Sequence, residues 1–592
     1  MKQFLITAAG VFAGLTIFLI GVPFVLVMLA VGAAGPTPVP AKSVLELDLR
    51  DQLTDQAPQS PLAGFGRNSV AVMTIVETLH RAETDGHVKG LLIRLPESGI
   101  EPGMADEIRQ AVKRFRAAGK PVIAHSQGLY PAGVTTSTYM VGAASGDFWM
   151  QPGASLQATG LTSEDIFLKR FFDKYGVTPQ YEQRREYKNA VNTFLYSDYT
   201  PAHRQATLSW MTSVYDANLA AAAADRRMAP AALRRTLEAG PYLAEDAVRL
   251  KLVDRTGQVR EAVQTLLDRA GEDSELVDFH DYARGRHDRA RRGQPAIAVI
   301  EAEGPILTGR DEGASPFTSN AAIYSDDIAD AIQRATRSNA VKAIVLRLNS
   351  PGGSDTASEQ ILDAIRAAKA KGKPVVVSMS TYAASGGYWI SSEASAIVAQ
   401  PTTLTGSIGV FGGKFAVGEA LARFGVDLRE TSVGGDYAGA FSLGRPFTAD
   451  QRAAFAGWMD RIYDNFIARV ARGRKLPVER VREIAKGRVW TGAQAKQIGL
   501  VDEVGGFYEA VAKAKSLAGL KGDVALRRMT PVESPIEALE RAMGVSAASA
   551  RTLAAAAWVL GDPRAEALID RAAEASLREG HGAAVLAPMP IR

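Results

Sequence analysis

The segment VKAIVLRL (residues 341–348) decides the fold, because it repeats the earlier segment VKGLLIRL (residues 88–95) at an offset of 253 residues, 341 minus 88. Further matches keep the same order and end with LVD at residues 500–502 and 252–254, where the offset is 248 residues, 500 minus 252. So small a drift over a whole copy indicates a duplicated domain with minor loop changes. The period is far longer than the roughly 20 to 50 residues of solenoid repeats.

Both copies alternate short apolar runs with segments of helical periodicity. In the second copy this pattern predicts strands at residues 296–300, 343–348 and 374–378, and helices at 326–336 and 357–371. Such alternation is typical of βαβ units and of a mostly parallel sheet covered by helices. An α/β fold built from two tandem copies is therefore predicted.

The repeat divides the 592-residue chain into five segments. Two copies agree with the size limit of a domain with a single hydrophobic core, which is about 250 to 300 residues. The predicted segments are a membrane anchor with its spacer at 1–40, a first copy at 41–272, a linker at 273–294, a second copy at 295–520 and an Ala-rich tail of unassigned role at 521–592.

Composition excludes several kinds of site. The chain has no cysteine, so a thiol nucleophile, a disulfide framework and a cysteine-based metal site are all excluded. A formal net charge of +4 over the whole chain gives no electrostatic case for binding nucleic acid. The arginine-rich stretch at residues 284–292 lies between the copies and is interpreted as a solvated linker.

The N-terminal region predicts a membrane segment. Residues 4–34 contain no charged side chain, and about 20 apolar residues are enough to cross a bilayer. Pro23 would kink such a helix, which membrane helices tolerate. We interpret the segment as an uncleaved signal anchor, with a cleaved signal peptide as the alternative. Charges on its two sides specify its orientation only weakly.

Ser385 is the candidate nucleophile. It follows the apolar run at residues 375–377 and stands before Gly386 and Gly387, in the sequence AASGGYW at 383–389. A serine at a tight junction between strand and helix presents its hydroxyl outward, and adjacent glycines let a substrate backbone approach. The alternative is that Ser385 only caps the following helix.

A second motif, NSPGGS at residues 349–354, follows the buried run that ends at Leu348. Consecutive glycines at the end of a strand leave backbone N–H groups free, so Gly352 and Gly353 suit an oxyanion hole. An ordinary turn is the alternative. The first copy reads PESG at residues 96–99 and lacks the double glycine.

Lys188 is the candidate base, because no histidine lies in the motif-bearing part of the second copy. Burial lowers the pKa of a lysine toward the range where it can act as a base. Aligning the copies places Ala438 opposite Lys188 and Thr136 opposite Ser385, so each copy lacks what the other supplies. One composite site is favoured over two independent ones.

Together these motifs resemble a known family, the signal peptide peptidase A proteases in their long, tandemly duplicated bacterial form. The resemblance covers nearly all of residues 1–520. Its motifs are the anchor, both copies, YK at 187–188, SPGG at 350–353, ASGGY at 384–388 and TGSIG at 405–409.

The resemblance implies ClpP/crotonase-like domains and a Ser-Lys dyad shared between the copies. Ser385 would attack the scissile carbonyl, Lys188 would take and return its proton, and Gly352 or Gly353, with Gly386 as a further donor, would hold the oxyanion. It also implies a homotetramer in the bacterial cytoplasmic membrane, a single membrane pass, a catalytic part on the periplasmic side, and signal peptides as substrates. Neither a metal nor a cofactor is implied.

Two other functions compete with this interpretation. A crotonase-type acyl-CoA enzyme would share the fold, but it would need neither a membrane anchor nor Ser385 together with Lys188. A membrane-tethered scaffold or protease regulator with a dead site is the non-enzymatic alternative, and the intact motifs of the second copy speak against it.

Overall fold

The computed structural model describes residues 40–57, 69–285, 294–311, 321–522, 524–529 and 584–586. The predicted membrane anchor, Phe4 to Ala34, lies outside the described residues, as does most of the predicted tail. Within the described ranges, no helix is both long enough and apolar enough to span a bilayer.

Apolar runs form the strands of both copies. The strands are β1 (Ser43–Asp48), β2 (Gln52–Thr54), β3 (Ser69–Ala71), β4 (Val88–Leu95), β5 (Val122–Ser126), β6 (Phe148–Met150), β7 (Ser155–Leu156), β8 (Thr178–Arg184), β9 (Tyr242–Leu243), β10 (Arg255–Thr256), β11 (Glu275–Asp278), β12 (Ala296–Glu303), β13 (Ile306–Leu307), β14 (Ile323–Tyr324), β15 (Val341–Ser350), β16 (Gly352–Ser354), β17 (Val375–Ala384), β18 (Ala396–Ala399), β19 (Leu404–Gly406), β20 (Val410–Ala416), β21 (Val489–Thr491), β22 (Glu503–Val504), β23 (Ala525–Arg528) and β24 (Ala584–Leu586).

Helices connect these strands. They are α1 (Val72–Thr84), α2 (Pro102–Ala117), α3 (Thr135–Ala144), α4 (Lys169–Tyr175), α5 (Asn192–Leu195), α6 (Pro201–Arg226), α7 (Pro230–Glu238), α8 (Ala244–Arg249), α9 (Val259–Ala270), α10 (Phe279–Gly285), α11 (Ser325–Arg337), α12 (Asp355–Ala370), α13 (Gly386–Ser391), α14 (Gly418–Ala422), α15 (Ala449–Arg474), α16 (Val478–Ile484), α17 (Gly492–Gln497) and α18 (Phe507–Leu517). The strands and helices predicted in the second copy are confirmed as β12, α11, β15, α12 and β17.

The two copies build matching parallel sheets. The first sheet has the order β10-β6-β5-β4-β1-β11, and the second contains the matching order β22-β18-β17-β15-β12-β23. The second sheet has two more strands, because β19 also pairs with β17 and β21 pairs antiparallel with β19. Even a register shift recurs, between Ser43 and Val44 in β1 and between Ala296 and Ile297 in β12. The predicted tandem duplication of an α/β domain is thus confirmed.

Each sheet extends past the domain boundary predicted from the sequence. β11 lies in the segment predicted as a linker and pairs with β1. β23 lies in the segment predicted as a tail and pairs with β12. Both strands add to the edge of their sheet beside its first strand, so they are part of the repeated unit.

The copies share a core. Side chains alternate between the two faces of a strand, and one face of the second sheet, which includes Ile297, Val299 and Val345, packs into the same cluster as the first-copy core. The opposite face, with Ile300 and Leu346, packs against helices of its own copy. Docking of the two copies therefore depends on apolar burial.

A buried ion cluster crosses the same interface. Arg347, on β15, is fully buried and donates to Asp55 Oδ1 at 2.6 Å and to Glu107 Oε2 at 3.0 Å, and both carboxylates belong to the first copy. Buried charges are tolerated when they are paired and hydrogen-bonded in this way. The cluster orients the first copy on the second.

A third, mixed sheet also joins the copies, in the order β14-β13-β16-β24-β20-β8. β8 of the first copy pairs antiparallel with β20 of the second along seven residue pairs. The ring of Phe415 lies 5.3 Å from the rings of both Phe172 and Phe194, which pack the first copy onto β20. This pairing carries the end of β8 to the site.

Candidate active site

Ser385 stands at the turn between the buried strand β17 and helix α13. Its φ of 56° and ψ of −116° are strained for a residue with a side chain, and such strain is typical of functional turns. The Ser385 N–H donates to the Gly406 carbonyl at 2.9 Å, which holds the turn. A methyl group on Gly386 would lie 2.8 Å from Ser358 Oγ, so a larger residue at this position would require neighbouring atoms to shift.

Lys188 reaches this turn from the first copy. It follows β8, and second-copy backbone holds it, because the Tyr187 N–H donates to the Lys486 carbonyl at 3.1 Å. A methyl group on Gly487 would lie only 2.6 Å from Lys188 Cβ. The backbones of the two copies are thus in close contact at the lysine.

The structure brings together the two residues predicted to act as nucleophile and base. Lys188 Nζ lies 2.7 Å from Ser385 Oγ, although 197 residues separate them in the chain. Both side chains are fully buried. Burial holds the pKa of Lys188 well below its usual value of 10.5, since no carboxylate offsets the loss of solvation. A neutral amine placed here can accept the proton of the serine hydroxyl.

Ser407 is a third polar residue of the site, and sequence reasoning assigned it no role. Lys188 Nζ donates to the Ser407 carbonyl and lies equally close to Ser407 Oγ, at 3.0 Å in each case. These contacts with Ser407 orient Lys188 Nζ so that its remaining hydrogen-bonding position faces Ser385 Oγ. The TGSIG motif at residues 405–409 was the available signal, because it contains this serine between two glycines.

The three glycines predicted for the oxyanion hole converge beside Ser385. Gly352 has a φ of 115°, which favours glycine, and its N–H donates to Ser350 Oγ at 3.2 Å. A methyl group on Gly386 would lie 3.0 Å from the Gly353 nitrogen and 3.3 Å from Gly352 Cα. Backbone N–H groups from two loops therefore border the serine.

In the corresponding region of the first copy, the backbone N–H groups already donate to other parts of the fold. At the positions that match Gly352 and Gly353, the Gly99 N–H donates to the Ala132 carbonyl at 2.7 Å and the Ile100 N–H donates to Thr138 Oγ1 at 2.9 Å. Thr136, opposite Ser385 in the repeat, is buried and accepts from Asn218 at 3.2 Å. These donors are already used within the fold.

One expectation from the repeat needs correction. The alignment placed Ala438 opposite Lys188, as if both lined equivalent sites. Ala438 is exposed, whereas Lys188 is fully buried. The lysine is buried by contacts with the other copy, and the described residues of the second copy provide no matching contact around Ala438.

Among the described residues, no group of three or more His, Asp or Glu side chains is placed to hold a metal ion. The polar groups around Ser385 are the amine, hydroxyl and backbone groups described above. This arrangement suits acyl transfer through a serine, with a lysine as the proton carrier.

Comparison with known proteins agrees with this chemistry. The family profile described as peptidase family S49 matches residues 114–272 and 367–521, once in each copy. "Protease 4" of Salmonella typhi is 34% identical over 512 residues, which cover 81% of this chain and 79% of that protein. "Protease 4" of Haemophilus influenzae is 32% identical over 77% of this chain and 75% of that protein.

A shorter relative matches part of the chain. "Putative signal peptide peptidase SppA" of Enterococcus faecium is 30% identical over 205 residues, which cover 35% of this chain and 59% of that protein. The profile matches and the two long relatives confirm the family resemblance predicted from the motifs. The chain belongs to peptidase family S49, and it is a serine protease.

Proposed function

We propose that this protease uses Ser385 and Lys188 as a catalytic dyad to degrade signal peptides that remain in the bacterial cytoplasmic membrane after preprotein cleavage. The observation that carries the proposal is the fully buried 2.7 Å contact between Lys188 Nζ and Ser385 Oγ. An amine whose pKa is lowered by burial is unprotonated over a wider pH range, and only this form is a base.

In the proposed reaction, Ser385 Oγ attacks the scissile carbonyl while Lys188 takes the hydroxyl proton. The N–H groups of Gly353 and Gly386 are the donors that we assign to the oxyanion, because the Gly352 N–H already donates to Ser350. Lys188 then gives its proton to the leaving amine, which breaks the peptide bond. A water molecule attacks the acyl-serine and passes its proton to Lys188, and collapse of the adduct returns the proton to Ser385.

The strands around the site suit an extended peptide. β16 and β20 lie on opposite sides of a position one strand wide, next to the glycines at Ser385. Strand edges recognise a peptide backbone by adding it to the sheet. Signal peptides as substrates are supported by the similarity to the Enterococcus faecium protein named as a putative signal peptide peptidase.

Location and assembly belong to the same proposal. The apolar residues 4–34 would anchor the chain by one membrane pass, with the catalytic part on the periplasmic side. ClpP/crotonase-like domains and a homotetramer complete the arrangement, and the tetramer would shelter the sites from folded proteins.

The test is hydrolysis of a fluorogenic peptide with an apolar P1 residue and of a synthetic signal peptide by the full chain in detergent. We expect Ser385→Ala to abolish turnover and the first-copy control Thr136→Ala to retain it. A fluorophosphonate probe should label the parent and not Ser385→Ala. Turnover that survives in Ser385→Ala would refute the site, and a folded parent that neither cleaves nor labels would refute the protease mechanism.

A further inference from the structure

The strand that leads to the nucleophile is irregular just before Ser385. β15 and β17 pair with Leu348 opposite Met379, and the next paired residues are Ser350 and Ala383. Two residue steps in β15 (350 minus 348) therefore face four in β17 (383 minus 379), so β17 forms a β-bulge here. A bulge bends its strand and interrupts the ladder, and bulges are frequent next to active sites.

Asn349 lies opposite this bulge and connects the ends of three neighbouring strands. Its Oδ1 accepts the Tyr382 N–H of β17 at 3.1 Å, and its Nδ2 donates to Glu303 Oε1, at the end of β12, at 2.9 Å. Its backbone carbonyl accepts the Gly304 N–H at 2.9 Å. The side chain is buried. Asn349 therefore bridges the interrupted ladder between β15 and β17.

The two partners of the Asn349 amide determine which way it points. An ionised carboxylate only accepts hydrogen bonds and a backbone N–H only donates, so the amide nitrogen must face Glu303 and the amide oxygen must face Tyr382. The first copy holds Glu303 in turn, because its carboxylate accepts the Asp55 N–H at 3.2 Å and the Gln56 N–H at 3.0 Å. The orientation of Asn349 therefore depends on docking of the two copies.

Asn349 is adjacent to both halves of the proposed site. The next residue, Ser350, begins the oxyanion loop (residues 350–353), and its hydroxyl oxygen accepts the Gly352 N–H at 3.2 Å. On the other strand, Tyr382 stands three residues before Ser385. The hydrogen bond between Asn349 and Tyr382 therefore joins the loop that holds the predicted oxyanion glycines to the strand that holds the nucleophile.

The matching positions of the first copy hold residues that cannot form this pair. At the offset of 253 residues, Pro96 matches Asn349 (349 minus 253) and Arg50 matches Glu303 (303 minus 253). A proline side chain has no hydrogen-bonding group and a guanidinium has no acceptor. Arg50 donates instead to Asp48 at 2.9 Å. The pair of Asn349 with Glu303 thus belongs to the copy that contains the proposed nucleophile.

We propose that Asn349 is a positioning residue of the protease site and that Glu303 holds its amide in the orientation that the site needs. The inference rests on the proposed function, because it takes Ser385 and the neighbouring glycines as the reacting groups. With the amide in place, the oxyanion loop and the nucleophile turn are fixed relative to each other. Without it the two can shift, and a misplacement of about 1 Å between reacting groups costs about a hundredfold in rate.

The first test removes the amide. For Asn349→Ala we expect kcat for the fluorogenic peptide to fall by at least about thirtyfold with KM within about threefold, because the shifted groups act in the transition state. Fluorophosphonate labelling of Ser385 should slow by a similar factor, which a change in peptide binding alone would not cause. The matched control is Asn218→Ala, since Asn218 is also buried and donates to Thr136 Oγ1 in the first copy. This control should keep the parent kcat.

The second test exchanges the two groups, measured at alkaline pH so that a shared proton does not mask the repulsion. Asn349→Asp keeps an acceptor for the Tyr382 N–H but places two carboxylates against each other, so kcat should fall by at least about thirtyfold. Adding Glu303→Gln restores one amide facing one carboxylate. The double variant should therefore have a kcat at least about tenfold above that of Asn349→Asp alone.

The outcomes separate the two proposals. A folded Asn349→Ala protein whose kcat falls by less than about tenfold, or an equal fall in Asn218→Ala, would overturn the inference and leave the proposed function standing. A double variant no faster than Asn349→Asp would overturn it as well. If Asn349→Ala does not fold, the exchange decides, because its substitutions preserve side-chain size. Parent turnover that survives in Ser385→Ala would refute the proposed function, and the inference would fail with it.

Discussion

The first and second copies have kept the same framework and lost different parts of the site. In the first copy, Tyr139 of α3 donates to the Leu252 carbonyl at 2.9 Å, and in the second, Tyr388 of α13 donates to the Leu500 carbonyl at 2.8 Å. The closing aspartate of each LVD motif accepts a backbone N–H at 2.7 Å. Contacts that hold the fold are therefore retained in both copies.

The residues around the nucleophile differ between the same two frameworks. Thr136 replaces Ser385, and the strand pairing of β7 with β9 and of β19 with β21 places Ala158 at the position of Ser407. Ile100 replaces Gly353. A few substitutions thus separate the proposed site of the second copy from the corresponding region of the first copy, while the order of the central strands is the same in both.

The copies also differ in how they meet. The first copy sends β8 and Lys188 into the second, where they are buried. The matching segment of the second copy, residues 423–448, is largely exposed within this chain. Among the described residues the repeat therefore forms the proposed site once, where Lys188 of the first copy meets Ser385 of the second.

The sharpest test of this division is Lys188→Met, which keeps most of the length of the side chain and removes the base. We expect kcat for the fluorogenic peptide to fall by about a thousandfold or more, as for other members of a catalytic nucleophile–base pair. The exposed first-copy lysine provides the control Lys174→Met, which should retain the parent kcat. A Lys188→Met protein that keeps more than a tenth of the parent kcat would contradict the assignment of Lys188 as the base.

Lys188→Met should also change the stability of the folded protein. The pKa of Lys188 is lowered in the folded protein, so below pH 10.5 the unfolded chain binds more protons at this residue, and folding is disfavoured there. Lys188→Met should therefore unfold at higher urea than the parent at neutral pH, and this gain should shrink as the pH rises. A variant that is less stable at neutral pH would contradict the assignment of a neutral buried amine.

The matched arginines of the repeat test the interface. Arg347 is fully buried against Asp55 and Glu107, whereas Arg94, its counterpart, is partly exposed beside Glu46. Arg347→Ala leaves two buried carboxylates without a partner and should lower the free energy of unfolding by about 3 to 5 kcal/mol. Arg94→Ala should lower the free energy of unfolding by less than about 1 kcal/mol. Urea titrations of both variants measure the difference, and equal losses would refute the asymmetry.

The pH dependence tests the base in the intact enzyme. Only the neutral amine of Lys188 accepts a proton, and its fraction rises with pH up to the lowered pKa and then levels off. We expect kcat/KM to rise about tenfold per pH unit below that pKa. Circular dichroism at each pH should show a folded protein. A rate that is flat from acid to alkaline pH would exclude a titrating lysine.

The smallest expected effect concerns Ser407. Ser407→Ala removes one of the two Ser407 atoms near Lys188 Nζ and should lower kcat by about tenfold with little change in KM, because orientation of the base is lost while substrate contacts remain. The reciprocal change Ala158→Ser in the first copy should leave kcat within about twofold, since the hydrogen bond described at Thr136 Oγ1 comes from Asn218 and not from a lysine. An unchanged kcat in Ser407→Ala would show that Ser407 does not orient the base.

Local pattern was enough to predict much of the fold. The alternating apolar runs predict β12, β15 and β17 because a strand buried on both faces needs such a run. The repeat predicts the duplication, since each match lies at nearly the same offset. Ser385 was found from its position after a strand and before two glycines, and Lys188 was found because its neighbours match the other copy.

Only the tertiary structure decided how these parts act together. The contact between Lys188 and Ser385 spans 197 residues, and the pairing of β8 with β20 that creates it has no local signature. Arg94 and Arg347 stand in nearly identical segments, yet only Arg347 is covered by the other copy. The sequence by itself thus determined the repeated framework and its candidate residues, because periodicity reports which face of a strand or helix is buried. Burial, the pKa of the lysine and the role of Ser407 depend on contacts between distant segments, and only docking of the two copies brings those segments together.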